Sequence, residues 1–141
     1  LFKRRLYRTR PANHNLGTLG IALLLFAILA YAFYVLKLNS FIATSSAFII
    51  AGSILIFLRK DLLYDSLLTG LSLTITVVPV FLLLEYISPG FIEKTWLWKH
   101  LSGLRFIGIP IEDLVFYFLF GFFIAPFYLY WKGEKLRKIP K

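Results

Sequence analysis

The chain has 141 residues, of which 59% are hydrophobic and 16% charged, with a formal charge of +9 and no Cys. A soluble domain is about 45–50% apolar and about 25% charged, so the composition excludes an ordinary soluble fold and points to one membrane-embedded domain. Without Cys there is no disulfide, thiolate nucleophile or Cys-ligated metal. His14 and His100 are far apart in sequence and lie outside the apolar runs, so no metal or haem is expected. The basic residues flank apolar spans. The expected partner is therefore membrane lipid, and nucleic acid is not expected.

Residues 1–15 form a basic arm with Lys3, Arg4, Arg5, Arg8 and Arg10. The arm reads as a topology signal that also touches anionic headgroups. The chain starts at Leu1 and contains no Met, which suggests a missing or processed N-terminus. No small-residue cleavage site follows a short apolar core.

The first span is expected at Leu16–Leu36, uncharged and rich in Leu, Ala and Phe, with Tyr31 and Tyr34 suited to an interface. The short turn Lys37-Leu38-Asn39-Ser40 predicts an antiparallel hairpin with a second span at Phe41–Leu58. In that span Ala47 and Ala51 have the small-xxx-small spacing that lets helices approach closely. A third span is expected at Ser66–Ile87. Its first half is rich in hydroxyls, Pro79 removes one backbone donor and is expected to kink it, and Glu85 sits near its end, where a carboxylate needs water or a partner.

The longest connection, residues 88–109, contains Trp96 and Trp98, which read first as interfacial anchors and second as a lid over a site. The fourth span is Pro110–Trp131, and a basic tail follows at 132–141. The expected fold class is thus all-α, a polytopic bundle of about four transmembrane helices: an arm at 1–15, a membrane domain at 16–131 and a tail at 132–141. With four spans both termini share a side. That side carries 12 of the 16 Lys and Arg residues, against 4 (Lys37, Lys94, Lys99 and Arg105) on the other. The bias predicts cytoplasmic termini.

Function-like chemistry concentrates at the start of the fourth span. Pro110 suits the first position of a helix, which puts Glu112 and Asp113 in the first turn, where free N–H groups favour acids. One reading ends there, with two acids capping a membrane helix. The other begins from periodicity. Glu112, Phe116, Phe120, Phe123, Phe127 and Tyr130 fall within about a quarter of the circumference at roughly 100° per residue. Asp113 borders that face. Two adjacent carboxyls cannot easily both ionise in a dry site, which is how a proton donor is made. Aromatic faces stabilise a neighbouring cation. The combination suits acid-catalysed rearrangement of a hydrocarbon.

The run Gly108-Ile109-Pro110-Ile111-Glu112-Asp113-Leu114-Val115-Phe116-Tyr117 resembles the Pro-x-Glu-(Glu/Asp)-x-x-Phe-(Phe/Tyr) signature of the lycopene cyclase domain family. The similarity extends over roughly residues 41–131 and takes in an apolar span before a Trp-containing loop, Leu67–Trp98. The family comprises small membrane-embedded cyclase subunits and the cyclase part of bifunctional enzymes. The resemblance implies a non-redox isomerase without a cofactor, in a prokaryotic cytoplasmic membrane. A carboxylic acid protonates an end double bond of a hydrophobic polyene, the cation closes a ring, and a base removes a proton.

By the same resemblance Glu112 and Asp113 are the catalytic pair. Glu85 is the candidate for a further acid or base if it faces the fourth span. Phe116, Phe120, Phe123 and Phe127 are the candidate substrate wall. The family's complete enzymes use two modules and this chain has one signature. That implies a homo-oligomer, a second cyclase-like subunit, or a relative with changed activity. The competing expectation is a non-catalytic carotenoid-binding or structural subunit, in which the acids are caps or partners of Arg105. A small transporter or scaffold has less support, because spans one and two carry no charge.

Overall fold

In a computed structural model, residues 4–8, 14–96, 98 and 101–138 are described. Lys3, Arg10, Lys99, His100 and Lys141, which entered the charge and metal expectations above, lie outside the described residues. Four stretches are long and apolar enough to cross a membrane: Asn15–Val35, Ser40–Leu58, Lys60–Ile87 and Ile111–Lys132. The all-α expectation is met, with two small two-stranded ladders added.

Strand β1 (Arg4–Arg8) pairs antiparallel with β4 (Glu134–Lys138), with Leu6 opposite Leu136. The two basic terminal segments therefore run side by side at one end of the bundle, beside the turn that joins the second and third spans.

Helix α1 (His14–Ala30) continues into a π turn, Tyr31–Val35, in which Leu36 N–H reaches Tyr31 O at 3.1 Å. Sequence periodicity predicts an unbroken helix to Leu36. The final turn is widened instead, and Lys37 at φ 55° reverses the chain. Helix α2 (Ser40–Leu58) follows, capped by Asn39, whose Oδ1 accepts from Ile42 N–H at 2.8 Å. Its small residues are the buried ones: Ala43, Ala47 and Ala51 are at most 2% exposed.

A 3-10 turn, Lys60–Leu62, joins α2 to α3 (Leu63–Ile87), which starts three residues before the expected Ser66. No Gly or Pro separates the turn from the helix, and Arg59 grips Asp61 through two 2.9 Å bonds. The hydroxyls of Ser66, Thr69, Thr74 and Thr76 bond back to carbonyls four residues earlier, at 2.8–3.0 Å. Each is satisfied by its own helix, and Thr74 Oγ1 also reaches Leu114 O of the last span at 3.4 Å.

After α3 comes a short helix, α4 (Phe91–Thr95), and then a hairpin of β2 (Arg105–Phe106) and β3 (Ile109–Pro110). Ile107 and Gly108 form its turn with φ of 52° and 82°. A two-residue hairpin turn with both φ positive is the type that matches strand twist. Gly108 adopts that conformation freely; Ile107, being β-branched, is strained in it.

Helix α5 (Ile111–Lys132) starts directly from this hairpin. Pro110 is its N-cap, at φ −57° and ψ 135°, rather than its first helical residue as expected. Glu112 and Asp113 accordingly hold the second and third positions. The core is built on α5. One cluster joins Phe48, Ala51 and Leu55 of α2 to Leu119 and Phe123, with Ile21 of α1. The other joins Val77 and Phe81 of α3 to Ile92 and Ile109. Gly70 and Gly121 bring α3 and α5 together: a Cβ on Gly121 would lie 2.7 Å from Gly70 Cα and 2.9 Å from Thr69 O.

Candidate functional site

Every connection at the end of the bundle away from β1 and β4 converges on the first turn of α5. The hairpin delivers the helix, Ile111 N–H bonding Leu104 O at 3.1 Å. Beneath it Ile109 and Pro110 are fully buried, and Ile92, Val77 and Phe81 close the base. On this platform Glu112 is 7% exposed although it is a carboxylate. Its Oε1 accepts the N–H of Ser102 from the preceding connection. Its Oε2, and Oδ2 of Asp113, are buried without a hydrogen-bond partner among the described residues. A buried polar oxygen left unpaired costs about 1–3 kcal/mol, so two side by side call for an explanation beyond helix capping.

Both acids line a cavity of about 620 Å³. Its other walls include Phe33 from the π turn, Phe41 and Thr44 from the start of α2, Trp96 after α4, and Phe116 one turn along α5. The acids thus open into a space to which four aromatic residues contribute, with Asn39, Ser40, Thr44 and Thr95 adding polar groups to its wall.

The candidates read from the sequence are not all gathered here. Phe116 lines the cavity with the acids. Phe120 and Phe123 pack against Phe48 of α2, with ring centroids at 5.8 and 5.6 Å, Phe116 also meets Phe48 at 5.8 Å, and Phe127 stacks on Phe123 at 5.2 Å. Phe48 occupies the groove that the stripe would otherwise offer to a ligand. Glu85 faces the loop after its own helix: Oε1 accepts Gly90 N–H at 2.7 Å and Oε2 accepts Ile92 N–H at 3.0 Å. Both of its oxygens are engaged in holding the α3–α4 turn.

Arg105 does not pair with the acids. It pairs with Glu93 and lies 3.9 Å from the ring centroid of Trp98. The two tryptophans also divide. Trp98 donates its indole N–H to Glu93 O at 3.2 Å, whereas Trp96 packs on Phe81 at 5.4 Å and forms a cavity wall. Trp96 is therefore part of the chamber and more than an interfacial anchor.

Phe33, Phe41, Thr44 and Ser102 were not marked by the sequence. None has a local peculiarity: the packing of the first span and α2 beside α5 brings Phe33, Phe41 and Thr44 to the acids, and the connection before β2 brings Ser102. A family model described as lycopene cyclase matches residues 39–131. The chain belongs to the lycopene cyclase family. No curated protein and no solved structure matches it. The matched region begins at the α2 cap and ends within the last turn of α5, so it contains both acids and excludes α1. Together with the four apolar helices, the match makes the chain a membrane protein related to carotenoid cyclases.

Proposed function

We propose that this chain is a cyclase, or a cyclase subunit, closing an end ring on a linear carotenoid-type polyene by acid catalysis. The observation that carries this reading is the pair of buried carboxyl oxygens, Oε2 of Glu112 and Oδ2 of Asp113, left without partners at the wall of an aromatic cavity. Two carboxyl oxygens without protein partners at a cavity wall are available to a substrate bound there.

Ser102 N–H holds Oε1 of Glu112 and leaves Oε2 to carry the proton. Glu112 is then the donor, with Asp113 beside it setting the charge of the pair. The donor O–H transfers its proton to the terminal C=C of the polyene, which becomes a tertiary carbocation. The next suitably placed double bond attacks that carbon, forming the ring's C–C bond and moving the positive charge to a ring carbon. A carboxylate of the pair removes the adjacent C–H proton, leaving a ring double bond and restoring the acid. Product and substrate are isomers, so the sequence balances without an oxidant. Phe33, Phe41, Trp96 and Phe116 surround the cation with ring faces, each worth about 0.5–2 kcal/mol in a desolvated site. Glu85, engaged by Gly90 and Ile92, has a positioning role for the loop on this reading.

A second reading, a non-catalytic polyene-binding subunit, takes its support from the Ser102–Glu112 bond, which also clamps the loop to α5. Expression in lycopene-accumulating cells, alone and with a second cyclase-like subunit, separates the two. A cyclised product that disappears in Glu112→Gln is the expected result. Unchanged lycopene in every combination rejects the catalytic reading.

A further inference from the structure

Phe33 stands in the wall of the chamber holding the acids and of a neighbouring cavity. This second cavity of about 440 Å³, lined by Leu29, Ala30 and Tyr34, shares Phe33, Ser40 and Thr44 with the chamber. These three residues stand between the two spaces, near the end of the first span and the start of α2. The junction combines one ring with two hydroxyls, of which Thr44 Oγ1 donates to Ser40 O at 2.8 Å. Phe33 belongs to the π turn, stands edge-on to Tyr34 at 5.2 Å and is 44% exposed. Widened turns of this kind are frequent at functional sites. Tyr34, on the wall of the second cavity, is 69% exposed, so that cavity opens on the outer face of the bundle.

We propose that the two cavities form one lateral entrance from the bilayer, with Phe33 as the side chain that gauges what passes. This rests on the reading of the acids given above and adds the path and the size filter. A conjugated polyene is stiff, so an end group seated beside Glu112 and Asp113 obliges the remaining chain to leave along a straight course. The second cavity supplies that course, across Phe33 and Thr44 and out between α1 and α2 into lipid. Phe33 comes from the π turn after α1, ahead of the residues 39–131 that the family model matches.

The test measures retained pigment. The full chain carrying Glu112→Gln, which cannot consume a bound polyene, is produced in lycopene-accumulating cells and purified in detergent. Lycopene per protein is read by absorbance, and bound phospholipid by mass spectrometry. Adding Phe33→Trp or Thr44→Leu should lower retained lycopene about tenfold, the usual scale of an overpacked site. Leu23→Trp, on a part of α1 that lines neither cavity, should leave it unchanged. The thermal midpoint is read for each variant, and pigment lost at the midpoint of the Leu23→Trp chain marks a blocked junction and not a misfolded chain.

Full retention in both junction variants overturns the proposal. So does the absence of lycopene from every chain, or the release of phospholipid in place of lycopene. Retention that depends on Phe33 in a chain that never cyclises lycopene upholds the entrance and rejects the reaction. Cyclisation indifferent to both junction substitutions does the reverse.

Discussion

At Gly70 and Gly121 the α3 and α5 backbones approach so closely that a single added carbon would overlap the neighbouring main chain. Nine residues earlier on α5, about 13 Å along the axis, Glu112 and Asp113 stand beside a cavity of about 620 Å³. Close packing and open space on one helix do different jobs. The glycine seam fixes the rotation of α5, and that rotation decides where the acids point. A slip of one residue would turn them by about 100° and carry them away from Phe33, Trp96 and Phe116. The chamber is thus held open from a distance, by a contact that includes none of its walls.

The largest expected effect breaks the open half of this comparison. Glu112→Gln keeps an acceptor for Ser102 N–H but removes the acid, and should reduce cyclised product about 10²–10⁴-fold with little change in thermal midpoint. Pigment chromatography alongside thermal unfolding in detergent checks both halves of that statement. The next breaks the packed half. Gly121→Ala should destabilise the chain by about 1–3 kcal/mol, lowering its thermal midpoint, and should also lower product per folded molecule because α5 is displaced.

A smaller effect is expected at Glu85, whose loss leaves Gly90 and Ile92 N–H without their acceptor. Glu85→Ala should lower the midpoint less than Gly121→Ala and reduce product far less than Glu112→Gln. Equal losses of product would make Glu85 part of the acid chemistry. The smallest belongs to Arg105→Ala, which removes an exposed ion pair and a ring contact worth together about 1 kcal/mol or less. A collapse of activity in that variant would place Arg105 at the acids, contrary to its pairing with Glu93.

The helices and the acidic turn were legible in the sequence because both have strong local signatures. Uninterrupted apolar runs mark the spans, and a Gly–x–Pro–x–Glu–Asp stretch marks the head of α5. The Ala47–Ala51 spacing likewise announced a packing face. The π turn at Tyr31–Val35 had no such mark, since nothing in those residues differs from ordinary interfacial helix. The aromatic stripe shows where periodicity runs out. It placed Phe116, Phe120, Phe123 and Phe127 on one face correctly but carried no information about the partner. Phe48, an unremarked residue of α2, takes up three of the four. Trp96 and Trp98 are two residues apart with the same side chain, and their separate fates depend on α4 and the β2–β3 hairpin, which are tertiary in origin.

The antiparallel pairing of Arg4–Arg8 with Glu134–Lys138 has a practical corollary for engineering. A polypeptide fused after β4 sets off from the face at which β1 comes in. Two copies concatenated tail to head through these strands would then sit the same way up, and no extra membrane crossing would be needed to orient the second.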